Sequence, residues 1–248
     1  MPPQTIADVL TELDAVIAWA RAERQRAGYF AVLYRRVTAR VDDGIRQGRF
    51  EDGARMERLD VVFANRYLDA LARYRRGEPP TRSWAVAFRA AETWGPLVLQ
   101  HLLLGMNAHI NLDLGIAAAE TAPGTALPAL KRDFDEITTL LGEMLDDVQD
   151  RIGRISPWLW LLDRVGARTD EEVFSFVLAR AREFAWRSAE QLVASPATRD
   201  AQIDVTDRAA ALVGNGVLSP GFFLRPVLLT VRLREPSEPA EVIEALGG

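Results

Sequence analysis

The sequence predicts an all-α fold, a single-domain helical bundle built around one central apolar helix. Three observations carry that reading. Apolar residues recur at helical spacing in one segment after another, glycine and proline punctuate those segments, and no run of strands links them. The chain has 248 residues, enough to bury a substantial core, with 48% hydrophobic and 26% charged residues. That balance is ordinary for a globular protein and argues against a disordered body.

Thr5 to Ala27 is amphipathic, with Ile6, Val9, Leu10, Leu13, Ile17 and Ala20 on one face, and it stops at Gly28. Tyr29 to Gln47 and Phe50 to Arg76 follow as long helices, closed by Gly48 and by Gly77 with Pro79 and Pro80. Trp84 to Trp94 reads as a shorter helix. Gly95-Pro96 restarts the chain as the apolar helix, with proline near a first turn where its missing N–H is harmless. After a loop at Thr121 to Pro128, Ala129 to Ile155 reads as one charged amphipathic helix, and Pro157 to Val165 as a Trp-rich turn. Thr169-Asp170-Glu171-Glu172 has the pattern of a capped start for a helix running to Ala194. Pro196 to Leu212 reads as helix, and Leu229 to Arg234 as a strand or a helix end. The domain is placed at residues 1–234, with 235–248 as a loosely held tail.

Composition removes several chemistries. The chain has no cysteine, so a disulfide framework, a thiolate nucleophile and a cysteine zinc site are excluded. A net charge of −5 gives no basic field for nucleic acid. The N-terminus shows no signal-peptide pattern, and a cytoplasmic protein is expected. Trp94 to Ala119 is long enough to span a membrane, but Gln100, His101, Asn107, His109, Asn111 and Asp113 lie mid-span, so no membrane is expected and the segment reads as buried in protein. There is no glycine-rich phosphate loop, no GxSxG and no HExxH, and no organic cofactor is implied.

From Thr93 to Leu112 there is no Asp, Glu, Lys or Arg, which places nearly every face of the apolar helix against protein. Buried polar side chains cost about 1–3 kcal/mol each unless bonded, so its polar set needs a reason. At about 100° per residue, His101, Gly105, His109, Asp113 and Glu120 share one stripe, and Asn107 and Asn111 form a second seam on the opposite side. His109 and Asp113, one turn apart, suit two ligands of one metal or a carboxylate that orients a histidine. Gly105 leaves room on the same face for a ligand or a neighbouring backbone, and His101 lines the wall or serves a second ion.

Elsewhere, Asp60 falls mid-stripe among Met56, Phe63, Ala64, Tyr67 and Leu71. It is the third candidate member of the site, as a ligand with His109 and Asp113 or as the partner of a buried arginine. Arg180 and Arg187, at the edge of a face formed by Val173, Phe176, Val177, Phe184 and Gln191, are candidate clamps for an anionic group or neutralisers of Asp60 or Asp113. Asp133 faces inward as a weaker case of the same kind. Tyr67 and Trp186 are candidate pocket walls, or plain core.

The stretch from Leu102 through Gly105, Asn107, His109, Asn111 and Asp113 to Leu114, with Leu59-Asp60 and Asn65-Arg66-Tyr67 upstream, resembles a bacterial and fungal family catalogued as domain of unknown function 5995. That resemblance covers most of the chain and implies no activity. Gly105 to Asp113 is also similar to the metal-binding helix of zinc-dependent phospholipase C and P1-type nucleases. This second resemblance implies His109 and Asp113 as ligands of zinc or another divalent ion; with two histidines in the chain, it implies one or two ions rather than three.

The residues leave three readings open. One is an enzyme for a small-molecule substrate: a metal-dependent hydrolase of a phosphoester or related bond, or a metal-free acid–base cyclase, isomerase or lyase using His109 and Asp113. Another is a binding protein for an apolar ligand. The last is a polar seam that fixes helix register.

Overall fold

The computed structural model describes residues 1–164, 171–219, 221 and 224–247, with the side chains of 163–177 outside that description. The expected cap at Thr169 and Asp170, and the side chains of Val173, Phe176 and Val177, therefore lie outside the described residues. The elements are α1 (Ile6–Ala22), α2 (Gly28–Arg46), α3 (Gly53–Arg75), α4 (Arg82–Ala91), α5 (Val98–Ala108), a π turn (His109–Leu114) and α6 (Gly115–Thr121). They continue with α7 (Leu127–Glu143), α8 (Leu145–Ile155), α9 (Trp160–Arg164), α10 (Glu171–Ala194), α11 (Arg199–Leu218), α12 (Arg225–Arg232) and α13 (Pro239–Leu246). No strand occurs among the described residues, and the all-α reading holds.

The apolar helix is central, as its composition requires. Its α5 part packs on α2, α4, α8 and α11, and its α6 part on α3, α7 and α10. The run 98–121 is the one described helix long and apolar enough to cross a membrane, and 78% of its most apolar window is buried inside the protein. Each half of this helix anchors its own body of core. Leu102, Leu104 and Ala108 pack with apolar residues of α1 to α4, α8 and α13. Leu112, Leu114 and Ile116 to Ala119 pack with residues of α3, α7 and α10. The π turn lies at the seam between the two bodies, and that seam carries His109.

Three buried acids, distant in sequence, cap helix starts. Asp133 accepts from Glu51 N (2.7 Å), Asp52 N (3.1 Å) and Arg55 Nη2 (2.8 Å) at the head of α3. Asp207 accepts from Arg82 N (2.8 Å), Ser83 N (2.9 Å) and Ser83 Oγ (2.8 Å) at α4. Glu235 accepts from Val98 N (3.1 Å) and Ser156 Oγ at α5. Asp207 and Glu235 meet orphan first-turn N–H groups, and Asp133 meets the N–H groups of Glu51 and Asp52 just before α3, where the helix dipole also favours negative charge. Asp133 is thereby a structural residue rather than a member of the site.

Some expected boundaries differ. The helix read from Ala129 to Ile155 breaks at Met144 into α7 and α8, and the Trp-rich turn contains α9. Leu229 to Arg234 is the end of α12, not a strand. The segment from 235 is not a loose tail: Val242 and Ile243 of α13 are fully buried against α1, α2 and α8. Its apolar face, Val242, Ile243 and Leu246, completes the first core body. Prolines and glutamates around a short helix masked that signal.

Candidate functional site

His109 opens the π turn, a geometry with one residue more per turn than an α-helix and frequent at functional sites. Its ring is held by aromatic side chains from three neighbouring helices. Phe63 of α3 stacks on it, with centroids 3.5 Å apart and planes 9° from parallel. Tyr34 of α2 meets it edge-on at 4.4 Å, Phe30 at 5.6 Å, and Trp84 of α4 lies at 6.0 Å. Phe30 and Tyr34 are one turn apart on α2, as are Phe63 and Tyr67 on α3, so each helix delivers two rings to the same place.

Asp113 fixes the imidazole from the other end of the turn. Its Oδ1 accepts from Arg66 Nε at 2.9 Å and its Oδ2 from Trp84 Nε1 at 2.7 Å. The same Oδ2 lies 3.6 Å from His109 Nδ1, too long for a hydrogen bond and close enough for electrostatic attraction. Burial pulls the His109 pKa below the usual imidazole range, while Asp113 opposes that shift. At neutral pH the ring is neutral, with neither nitrogen hydrogen-bonded to protein.

One side of His109 forms the wall of an apolar cavity of about 110 Å³, comparable with cavities that admit a benzene-sized guest. Val37, Met56, Leu59, Ile110, Ile137 and Leu141 supply much of the lining, and its polar groups come from Tyr34, Asp60, His109 and Arg182. Asp60 Oδ2 has no hydrogen-bond partner among the described residues, and burial, with Asp42 and Glu57 nearby, pushes its pKa up to about 7. The Tyr34 hydroxyl is equally unpaired. Beyond Asp113 the surface opens as a separate polar cleft of about 480 Å³ lined by Arg66, Arg73, Arg82 and Asp207. The His109–Asp113 pair thus stands between an apolar cavity and a polar cleft.

The structure gathers some expected residues and separates others. His109 and Asp60 line one cavity, and Asp113 stands beside His109 on the side of the polar cleft. His101 lies in a different cavity of about 20 Å³ with Arg26, Tyr67 and Gly105, reached past Phe30, and its pKa falls to about 3 through burial and nearby Arg26 and Arg232. Tyr67 lines that smaller space rather than the main one. Asn107 donates to Ala210 O (2.7 Å) and accepts from Asn111 (2.9 Å), so the pair braces α11 against the central helix and does not line the His109 cavity. Glu120 leaves the polar stripe for an exposed ion pair with Arg199 at 2.7 Å, because the residue added by the π turn rotates everything beyond it by about 100°. Arg180 and Arg187 are also corrections: both are exposed and ion-paired to Glu183. Trp186 packs on Phe134 and donates to Glu190, away from the cavity.

The room expected at Gly105 is taken by Phe30. A Cβ there would lie 2.4 Å from the Phe30 ring, so glycine lets that ring reach His109. Gly105→Ala is expected to destabilise by about 1–3 kcal/mol through overpacking, despite alanine's better helix propensity. Combined with Phe30→Ala the penalty should disappear, and a denaturant double-mutant cycle showing no coupling would disprove the contact's role.

The residues missed by sequence reasoning are Arg182, Tyr34, Trp84 and, as the partner of Asp113, Arg66. Arg182 carried a signal. It lies in register with Leu178, Ala185 and Ala189, the small-residue face of α10 that packs where Gly115 comes within van der Waals reach of Ala185.

The donor set fits a metal ion poorly. Both Asp113 oxygens already accept strong donors, and the described residues contain no group of three His, Asp or Glu placed to hold an ion.

The fold and site together define an all-α protein with a buried histidine at a bulge in its central helix, facing an apolar cavity. A model of the family described as "Family of unknown function (DUF5995)" matches residues 6–220, and the chain belongs to that family. No curated protein and no solved structure matches it. The similarity to zinc-dependent phospholipase C gains no support from these comparisons.

Proposed function

We propose that this protein is a metal-free acid–base enzyme acting on a small, mainly apolar substrate in the cavity beside His109. The observation that carries the reading is the pairing, in one apolar cavity, of a neutral imidazole and a carboxyl whose pKa is pushed up to about 7, neither bonded to protein. Perturbed groups of opposite role in one closed site are the usual arrangement for proton transfer near neutral pH.

His109 acts as base through Nε2, the nitrogen away from Asp113. The imidazolium that forms is stabilised by Asp113, itself held by Arg66 and Trp84, in the manner of an orienting carboxylate. Asp60, which with a pKa near 7 still holds its proton in a large fraction of molecules at neutral pH, gives that proton to the substrate atom that gains negative charge. Enolisation and double-bond isomerisation need no more than this pair.

The test is deuterium incorporation next to the carbonyl of small cyclic and branched ketones in D₂O, followed by NMR. Wild-type protein is expected to accelerate exchange, and His109→Asn to lose at least about 100-fold of that acceleration. Exchange at the uncatalysed rate, or equal rates for the two proteins, would reject the reading. Ligand-induced thermal stabilisation without exchange would instead favour a binding protein, which the predominantly apolar lining also suits.

A further inference from the structure

Most buried and half-buried arginines among the described residues are matched with acids; half-buried Arg26, which donates only to Ala91 O at 3.5 Å, is one exception. Arg66 pairs with Asp113 at 2.9 Å, Arg55 with Asp133 at 2.8 Å, and Arg232 with Glu235 at 3.5 Å. Arg182 is the exception that is buried. It is 4% exposed, lines the cavity of His109 and Asp60, and forms no ion pair with any described residue. Its Nε donates to Thr138 Oγ1 at 2.8 Å and its Nη2 to Phe134 O at 2.6 Å, with the guanidinium 4.4 Å over the Phe134 ring. Those contacts hold the side chain in place without an ion pair; Asp135 acts on it only as a nearby charge, and no described residue bonds Nη1.

A guanidinium removed from water without a counter-anion is costly, and its planar fork suits a carboxylate held by two parallel hydrogen bonds. Asp60 does not serve as that anion: it forms no ion pair with Arg182 although both line the same cavity. The cavity therefore offers one fixed cation, an apolar lining, and a separate imidazole and carboxyl.

We propose that the natural ligand is a small apolar carboxylic acid, bound as its carboxylate to Arg182 with its hydrocarbon body in the cavity beside His109. The placement of reacting atoms near His109 rests on the acid–base reading; the carboxylate contact does not. A neutral ligand of the same shape would leave Arg182 unmatched, so the site selects for an acid.

The test compares hexanoate, octanoate, benzoate and cyclohexanecarboxylate with their primary amides by calorimetry at pH 6, where these acids are ionised. At least one acid is expected to bind about tenfold or more tightly than its amide. Arg182→Gln should erase that preference, and Arg182→Lys should retain part of it. If Arg182→Gln does not fold, Thr138→Val, which removes the Nε acceptor alone, should weaken acid binding and leave amide binding unchanged. His109→Asn should keep the preference while losing exchange, so the two proposals fail separately. Equal binding of acid and amide, no binding of any acid, or a preference that survives Arg182→Gln would overturn the assignment.

Discussion

Asp113→Ala is expected to cost about 3–5 kcal/mol of folding stability, the range for removing one partner of a buried, hydrogen-bonded ion pair. The residue is 1% exposed and is the acceptor for both Arg66 and Trp84. Its loss strands a fully buried indole N–H and leaves a guanidinium without its counter-charge. Arg66 is a quarter exposed and recovers some hydration, which argues for the lower half of the range. For a chain of this length each kcal/mol corresponds to about 2–4 °C, so the melting temperature should fall by at least about 6 °C. Asp113→Asn keeps an acceptor for Trp84 and should lose less. The cycle combining Asp113→Asn with Arg66→Gln should show positive coupling, and an Asp113→Ala loss under 1 kcal/mol would show that the network is not structural.

The helices were legible because their signals are local. The apolar face of Ile6, Val9, Leu13 and Ile17, the glycine stops at 28, 48 and 77, and the charge-free stretch through Leu112 all act within a few residues of where they are read. His109, Asp113 and Asp60 stood out for the same reason: each is a polar group where the periodicity demands an apolar one. What could not be read was how those groups are satisfied. Asp133, Asp207 and Glu235 cap helix starts more than 80 residues away in sequence, and no local pattern announces such a partner.

The choice of face on α10 failed for a different reason. Hydrophobicity pointed to Phe184, which is 44% exposed, whereas α10 meets the central helix through Ala185 and Ala189. Close approach between helices is bought with small residues, and these score poorly in any apolar pattern. Arg182 sits on that face and was lost with it. The π turn is likewise silent in the sequence. It preserves the stripe as far as Asp113 and breaks it before Glu120, so an ideal 3.6-residue period is right for half of the helix and wrong for the rest.

Asp60 should answer mutation with the opposite sign from Asp113. Both aspartates are buried, but Asp60 has no donor among the described residues, and burial together with Asp42 and Glu57 raises its pKa from 3.8 to about 7. An acid whose folded pKa lies above its unfolded value costs nothing at low pH, where both states hold the proton. As pH rises from about 4, the unfolded chain ionises freely while the folded site retains its proton, and stability falls until the folded group also ionises near pH 7. The full loss is of order 4 kcal/mol for a shift of about three units. Asp60→Asn removes that loss. It is expected to leave stability nearly unchanged at pH 4 and to raise it by a few kcal/mol at pH 8, read as the difference between variant and wild-type urea midpoints. The depressed histidines act at acid pH in both proteins and cancel in this difference. A stability gain that coincides with loss of proton exchange would identify Asp60 as a group kept against the interest of folding, the expected signature of a functional acid. A variant less stable than wild type at pH 8 would mean that Asp60 has a stabilising partner, and its part in the chemistry would have to be abandoned.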